Sequence, residues 1–170
     1  DDQSIAATGI RTGNDSMRHW AGNPRPVDVF DAKADVIAVL DEIGIVTDRL
    51  QISTDTPAYF HPGRSGAFQQ GPNNTLAYFG ELHPRVLKAL DIAGAVAAFE
   101  ILLDNLPKPR RKKDATRAHL TLSNYQKVSR DLAFLVDNDV TAAKVAVAAS
   151  NAEKQLITET QVFDVFTGGN

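Results

Sequence analysis

Hydrophobic residues fall into distinct periods along the chain. In VFDAKADVIAVLDEIG, residues 29–44, Val36, Val39, Leu40 and Ile43 recur at helical spacing, with acids near the start and Gly44 just past the end. This is the clearest helix in the sequence. Before it, SIAATGIRTG predicts a short strand, and NDSMRHWAGNPRP, rich in Asn, Gly and Pro, predicts a long loop. RLQIST, residues 49–54, reads as a strand. TPAYFHPGRSG then reads as a turn-rich connection with two prolines and two glycines. SGAFQQ and TLAYFGEL, separated by GPNN, predict a hairpin with a four-residue loop. HPRVLKALDIAG supplies a short helix with Val86, Leu87 and Leu90 on its apolar side, and AVAAFEILLDNL reads as a buried strand. Strands outnumber helices and a hairpin joins two of them. The expected class is α+β, a largely antiparallel sheet with packed helices.

The pattern breaks in PKPRRKKDATRAHLTLSN, which lacks apolar periodicity and has two prolines one residue apart. Three regions are therefore expected: a module over residues 1–107, a basic linker over 108–120, and a second domain over 121–170. In the last, VSRDLAFLVD predicts a strand, VTAAKVAVAASNAEK an Ala-rich helix, and ITETQVFDVFT a second strand, making one βαβ unit. The first residue is Asp, and FDVFTGGN stops at a turn signal after a strand-like run. Both ends are expected to be cut, so that the first module is truncated at its start and the second domain at its end.

Composition narrows the chemistry. The 170 residues are 43% hydrophobic and 23% charged, which is ordinary for a globular chain. There is no Cys, which excludes disulfides, thiolate metal sites and cysteine nucleophiles. No apolar run reaches the roughly 18 residues needed to span a bilayer, and the start DDQSIAATG lacks the marks of a signal peptide. A soluble protein with no membrane partner, in the cytosol by default, is expected. Net charge is -3, yet residues 108–117 hold six Lys or Arg against one Asp, so that segment is +5 and the remainder -8. The run Lys108, Arg110, Arg111, Lys112 and Lys113 is the candidate for neutralising RNA phosphates, although it contains no aromatic residue to stack a base.

Other candidates are weighed against plainer roles. His19, His61, His83 and His119 lie 42, 22 and 36 residues apart with no H-x-x-x-H pair, so their spacing offers no metal site. HPGRSG frames Arg64 with glycines and could present it to a phosphate, but it lacks the pattern G-x-x-x-x-G-K-[ST] and reads more simply as a turn between strands. Glu81 and His83 are two apart in a strand and could serve as acid and base. Ala77, Phe79, Glu81 and His83 share one face, however, so the pair continues an apolar row. Glu81 is expected to bond backbone groups at the sheet end, and His83 to satisfy N–H groups where Pro84 opens the helix.

The order VDVFDAKADVIAVL, FHPGRSGAF, YFGELHPRVLKALDI and AVAAFEILL resembles the catalytic-like module in the beta subunit of bacterial phenylalanyl-tRNA synthetase. YQKVSRDLAFLVDNDV and QVFDVFTG are similar to the opening half of that subunit's C-terminal ferredoxin-fold anticodon-binding domain. The resemblance runs from about Ile5 to the end. It implies a fold like a class II synthetase catalytic domain without its active site, followed by a partial ferredoxin-like βαβ unit. Neither an Arg-x-Glu strand motif nor a glycine-rich strand ending in Glu-Arg is present, so no catalytic, cofactor or metal residue is assigned here. Arg64, Glu81 and His83 are assigned as structural.

By the same resemblance, catalysis belongs to the alpha subunit, and the whole heterotetramer is an ATP- and magnesium-dependent ligase for phenylalanine and its tRNA. The beta module helps build the core, and the terminal domain contacts the tRNA anticodon region. The editing region lies upstream and is absent here. The ferredoxin-like strand order 4-1-3-2 separates the two strands in this chain, so self-association through their edges, or poor order, is expected. The alternatives are a free-standing RNA-binding module relying on Lys112 and Lys113, and a small hydrolase using Glu81 and His83.

Overall fold

The computed structural model describes residues 3–108, 122–166 and 168, in two units, Asp1–Ala115 and Thr116–Asn170. The first unit is a five-stranded antiparallel sheet backed by one helix. Its strands are β1 (Ala6–Thr12), β2 (Gln51–Ser53), β3 (Phe60–Gln69), β4 (Thr75–Leu82) and β5 (Val96–Leu102), in the order β1-β5-β4-β3-β2. Helix α1 (Val29–Glu42) crosses one face, and α2 (Pro84–Ala89) leaves the end of β4.

α1 begins where Asp28 closes a capping box. Its Oδ1 accepts from Phe30 N–H at 2.8 Å, while its own N–H donates to Asp31 Oδ2 at 2.8 Å. Ala32, Val36 and Leu40, spaced four apart, are the residues it buries. Val39 and Ile43, expected on the apolar side, are instead 39% and 46% exposed, while Val29 and Ile37 flank the buried row and pack against the core.

Sheet register explains the core. One row runs Ala7, Ile101, Ala77, Phe68 and Ile52 across all five strands. Its neighbour runs Gly9, Phe99, Phe79 and Gly66. The rings of Phe99 and Phe79 lie over the two glycines, where an added Cβ would come within 2.4 and 2.8 Å of ring atoms. Both rows belong to the face against which Ala32, Val36 and Leu40 pack. The opposite face carries Thr8, Glu100, Tyr78, Ala67 and Ser53 in one row, and Ile10, Ala98, Gly80 and Ser65 in the next.

The hairpin was legible, but its first strand is longer than its apolar run. HPGRSG is not a turn between strands. It lies inside β3 as a wide bulge: Phe60 pairs with Leu82 and Ser65 with Gly80, so residues 61–64 face a single residue of β4. Pro and Gly suit a bulge as well as a turn, which is why composition alone misplaced the segment. The run AVAAFEILLDNL ends its strand at Leu102 and closes with a 3₁₀ turn over Leu103–Asn105.

In the second unit, helix α3 (Ala142–Ala152) forms where the Ala-rich pattern placed it, with Thr141 Oγ1 accepting from Lys144 N–H at 3.4 Å. The two segments expected as strands form no ladder among the described residues. A strand exists by its hydrogen-bonded neighbour, and neither segment has one among the described residues. Lys127, just before the first segment, and Glu159 of the second form an exposed ion pair at 3.0 Å.

Candidate functional site

The sequence-predicted residues meet where β3, β4 and α2 join. The bulge turns Arg64 toward β4, where its Nε donates to Glu81 Oε2 at 2.7 Å. Glu81 is 14% exposed and Arg64 half exposed. Glu81 therefore bonds a side chain 17 positions away, not the backbone groups at the sheet end that its position suggested. An ion pair so placed contributes on the order of 1 kcal/mol, since one partner remains solvated.

His83 is the N-cap of α2, with Nδ1 accepting from Arg85 N–H at 3.1 Å and Pro84 in the first turn. Three residues that sequence reasoning did not connect complete the junction. Nδ1 of His61 accepts from Gly63 N–H at 3.1 Å, the same local geometry in the only other His-Pro pair of the chain. The two imidazoles stack with centroids 6.4 Å apart. Ser65 Oγ donates to the His61 carbonyl at 2.7 Å and shares a hydrogen bond with Thr56 Oγ1 at 2.8 Å. The repeated His-Pro-x was the available signal. Both rings thus turn Nδ1 to a backbone N–H two residues on.

Gly80 makes the bulge possible. Its φ is +156°, and a Cβ there would lie 2.4 Å from Ser65 Cβ and 2.7 Å from the Arg64 carbonyl oxygen. Only a residue without a side chain fits.

Glu81 and His83 share no hydrogen bond among the described residues: Glu81 Oε2 accepts from Arg64 and His83 Nδ1 from Arg85 N–H. A groove of about 510 Å³ beside them is lined by Leu82, Pro84, Leu87 and Ile92, with Arg64 and Lys88 opposing Glu81 and Asp91.

The sheet face away from α1 is more open. There Tyr59 Oη donates to Glu100 Oε2 at 2.5 Å, across a pocket of about 200 Å³ that includes Thr8, Phe60, Leu82 and Ala98. Burial, and then the bond to Glu100, push the Tyr59 phenol above its ordinary range, so it stays a proton donor. Its partner lies 41 positions away, which no local pattern reveals. The one charged side chain in these two rows is Glu100, which repels a bare phosphate.

Of the basic run, Lys108 is exposed just beyond the 3₁₀ turn; Arg110, Arg111, Lys112 and Lys113 lie outside the described residues. No helix among the described residues is long and apolar enough to cross a membrane.

Comparison with known proteins places this geometry. Residues 2–103 match the family described as the phenylalanyl tRNA synthetase beta chain CLM domain, and residues 123–170 match the ferredoxin-fold anticodon binding domain. The class is thus that of an aminoacyl-tRNA synthetase component. Among similar proteins, the phenylalanine–tRNA ligase beta subunit of Brucella abortus (strain 2308) is 47% identical over 100% of this chain. Those of Mesorhizobium japonicum and Rhodospirillum rubrum are each 46% identical, over 100% and 98% of it. The chain belongs to the phenylalanyl-tRNA synthetase beta-chain family. It spans 22% of the length of the Brucella relative and 21% of the Rhodospirillum one.

Proposed function

We propose that this chain is a non-catalytic part of the beta subunit of phenylalanine–tRNA ligase, which helps assemble the heterotetramer with the alpha subunit and contributes to binding phenylalanine tRNA in the cytoplasm. The observation that carries this reading is the commitment of Glu81 and His83 to framework bonds, in a chain that matches beta subunits along its whole length. ATP-dependent attachment of phenylalanine then resides in the alpha subunit, where ATP and magnesium act. No residue of this chain is given a role in holding either.

Within this reading the module over residues 1–107 supplies the rigid assembly surface, and the linker residues Lys108, Arg110, Arg111, Lys112 and Lys113 lie beside the tRNA path, where counterion release would make their contribution fall with salt. Exposed Val128, Leu132, Phe134, Val162 and Phe166 support self-association of the second unit when no partner covers them. The test is co-elution of the chain with purified alpha subunit, followed by phenylalanine-dependent pyrophosphate exchange. The expected result is a stable complex, with no exchange by the chain alone. Failure to associate at micromolar concentration, or exchange by the isolated chain, would overturn the reading.

A further inference from the structure

β1 is held differently from the other long strands of the first unit. None of its residues is buried, and Gly9, the one half-buried position, has no side chain. Ile10 stands 72% exposed. The core comes from Ala67 and Phe68 in β3, Leu76, Ala77 and Phe79 in β4, and Val96, Ala97 and Ile101 in β5. What holds β1 is its ladder to β5, from Ala6 opposite Leu102 to Thr12 opposite Val96, and a polar clasp at each end. Arg11 grips Asp35 of α1 with Nε and Nη2, both at 2.6 Å. At the other end Ile5 N–H donates to Asp104 Oδ2 at 2.8 Å, and Leu103 N–H donates to the Ile5 carbonyl at 2.9 Å.

A strand held by backbone bonds and a half-exposed ion pair can leave without opening the core, because it contributes no buried apolar side chain to it. β5 keeps its second ladder, to β4, when β1 goes. Gly9 weakens the attachment further, since a glycine inside a strand brings nothing to pack. The chain just beyond is fixed: Val27 N–H donates to the Gly13 carbonyl at 3.0 Å and Asp15 N–H to the Arg25 carbonyl at 2.9 Å. Movement is thereby confined to the residues before this closed neck, with Gly13, at φ +80°, as the hinge.

We infer that β1 is a latched strap, which detaches from β5 as a unit while β2–β5 and α1 remain folded, with the Arg11–Asp35 pair as its latch. Detachment leaves the β5 edge unpaired and uncovers the Phe99 ring that lies over Gly9. The strap is a property of the first unit itself, independent of any partner.

Native-state hydrogen exchange of the full chain, followed residue by residue in urea below the unfolding transition, tests this. The ladder-bonded amides of β1 are expected to exchange about 100-fold or more faster, relative to their unstructured rates, than those of Leu76–Phe79, with a shallow dependence on urea because little apolar surface is exposed. Arg11→Ala and Asp35→Ala should each raise the β1 rate by roughly fivefold, leave Leu76–Phe79 no less protected, and in combination raise it no further. Equal protection and equal urea slope in β1 and β4 would mean that β1 opens only with the core, and would overturn the strap. Single variants that speed β1 and β4 alike, that leave β1 unchanged, or whose effects add in combination would overturn the latch. A variant that fails to fold would tie β1 to the core and overturn both.

Discussion

Helices α1 and α3 are both amphipathic and both capped by a side chain, but they end in different environments. α1 buries Ala32, Val36 and Leu40 against the sheet; α3 has no buried residue. Around α1 each strand finds a partner, and the rows through Phe68, Ala77, Phe79 and Ile101 close a core. Around α3 the flanking segments form no ladder among the described residues, and Phe134, Leu135, Phe163 and Phe166 are exposed. Helix formation needs only local bonds and a cap, whereas a core needs the non-local pairing of strands that creates a surface to bury against.

The contrast breaks most visibly by truncating one apolar residue on each side. Leu40→Ala removes a fully buried side chain and should cost about 3 kcal/mol in urea unfolding of the first unit. Leu135→Ala, on a fully exposed side chain, should stay within about 0.5 kcal/mol. A similar loss in both would mean that the second unit has a core of its own.

A smaller effect probes the bulge that completes the sheet. Gly80→Ala forces a Cβ into backbone atoms of β3, and should lower stability by about 2 kcal/mol while leaving amide resonances of residues 142–152 unmoved.

The smallest separates the caps by pH. Arg25, and then the Asp28 N–H, pull the Asp31 carboxyl from 3.8 down to about 2. A depressed carboxyl stabilises the fold fully above its unfolded value and progressively less as pH falls through the folded one. Melting temperature of the first unit should therefore fall between about pH 4 and pH 2, and Asp31→Asn should flatten that limb. Thr141, the cap of α3, has no titratable side chain, so the helix signal of residues 142–152 should not follow it.

Much of this was legible in the sequence. The spacing from Val36 to Leu40, the GPNN loop and Pro84 at a helix start are local signals, and each placed its element. The bulge escaped because Pro62 and Gly63 serve bulges and turns alike. The partners of Glu81 and Glu100 escaped because they lie 17 and 41 positions away and are brought close only by the sheet register. ITETQVFDVFT has the composition of a strand, but composition leaves the neighbour that would pair with it open.

The strand order carries a consequence for the chain as it is synthesised. Among the described strands of this sheet β1 is made first, and its neighbour β5 is made last. About 84 residues separate Thr12 from Val96, so at ribosomal speeds β1 waits roughly 4–17 s for a partner. Throughout that interval the backbone edge that β5 will pair stands open to whatever is near the nascent chain. The arrival of β5 lays Phe99 over Gly9 and closes the sheet in a single late step, so the element that completes the first unit is also the one whose delay most exposes it to misassembly.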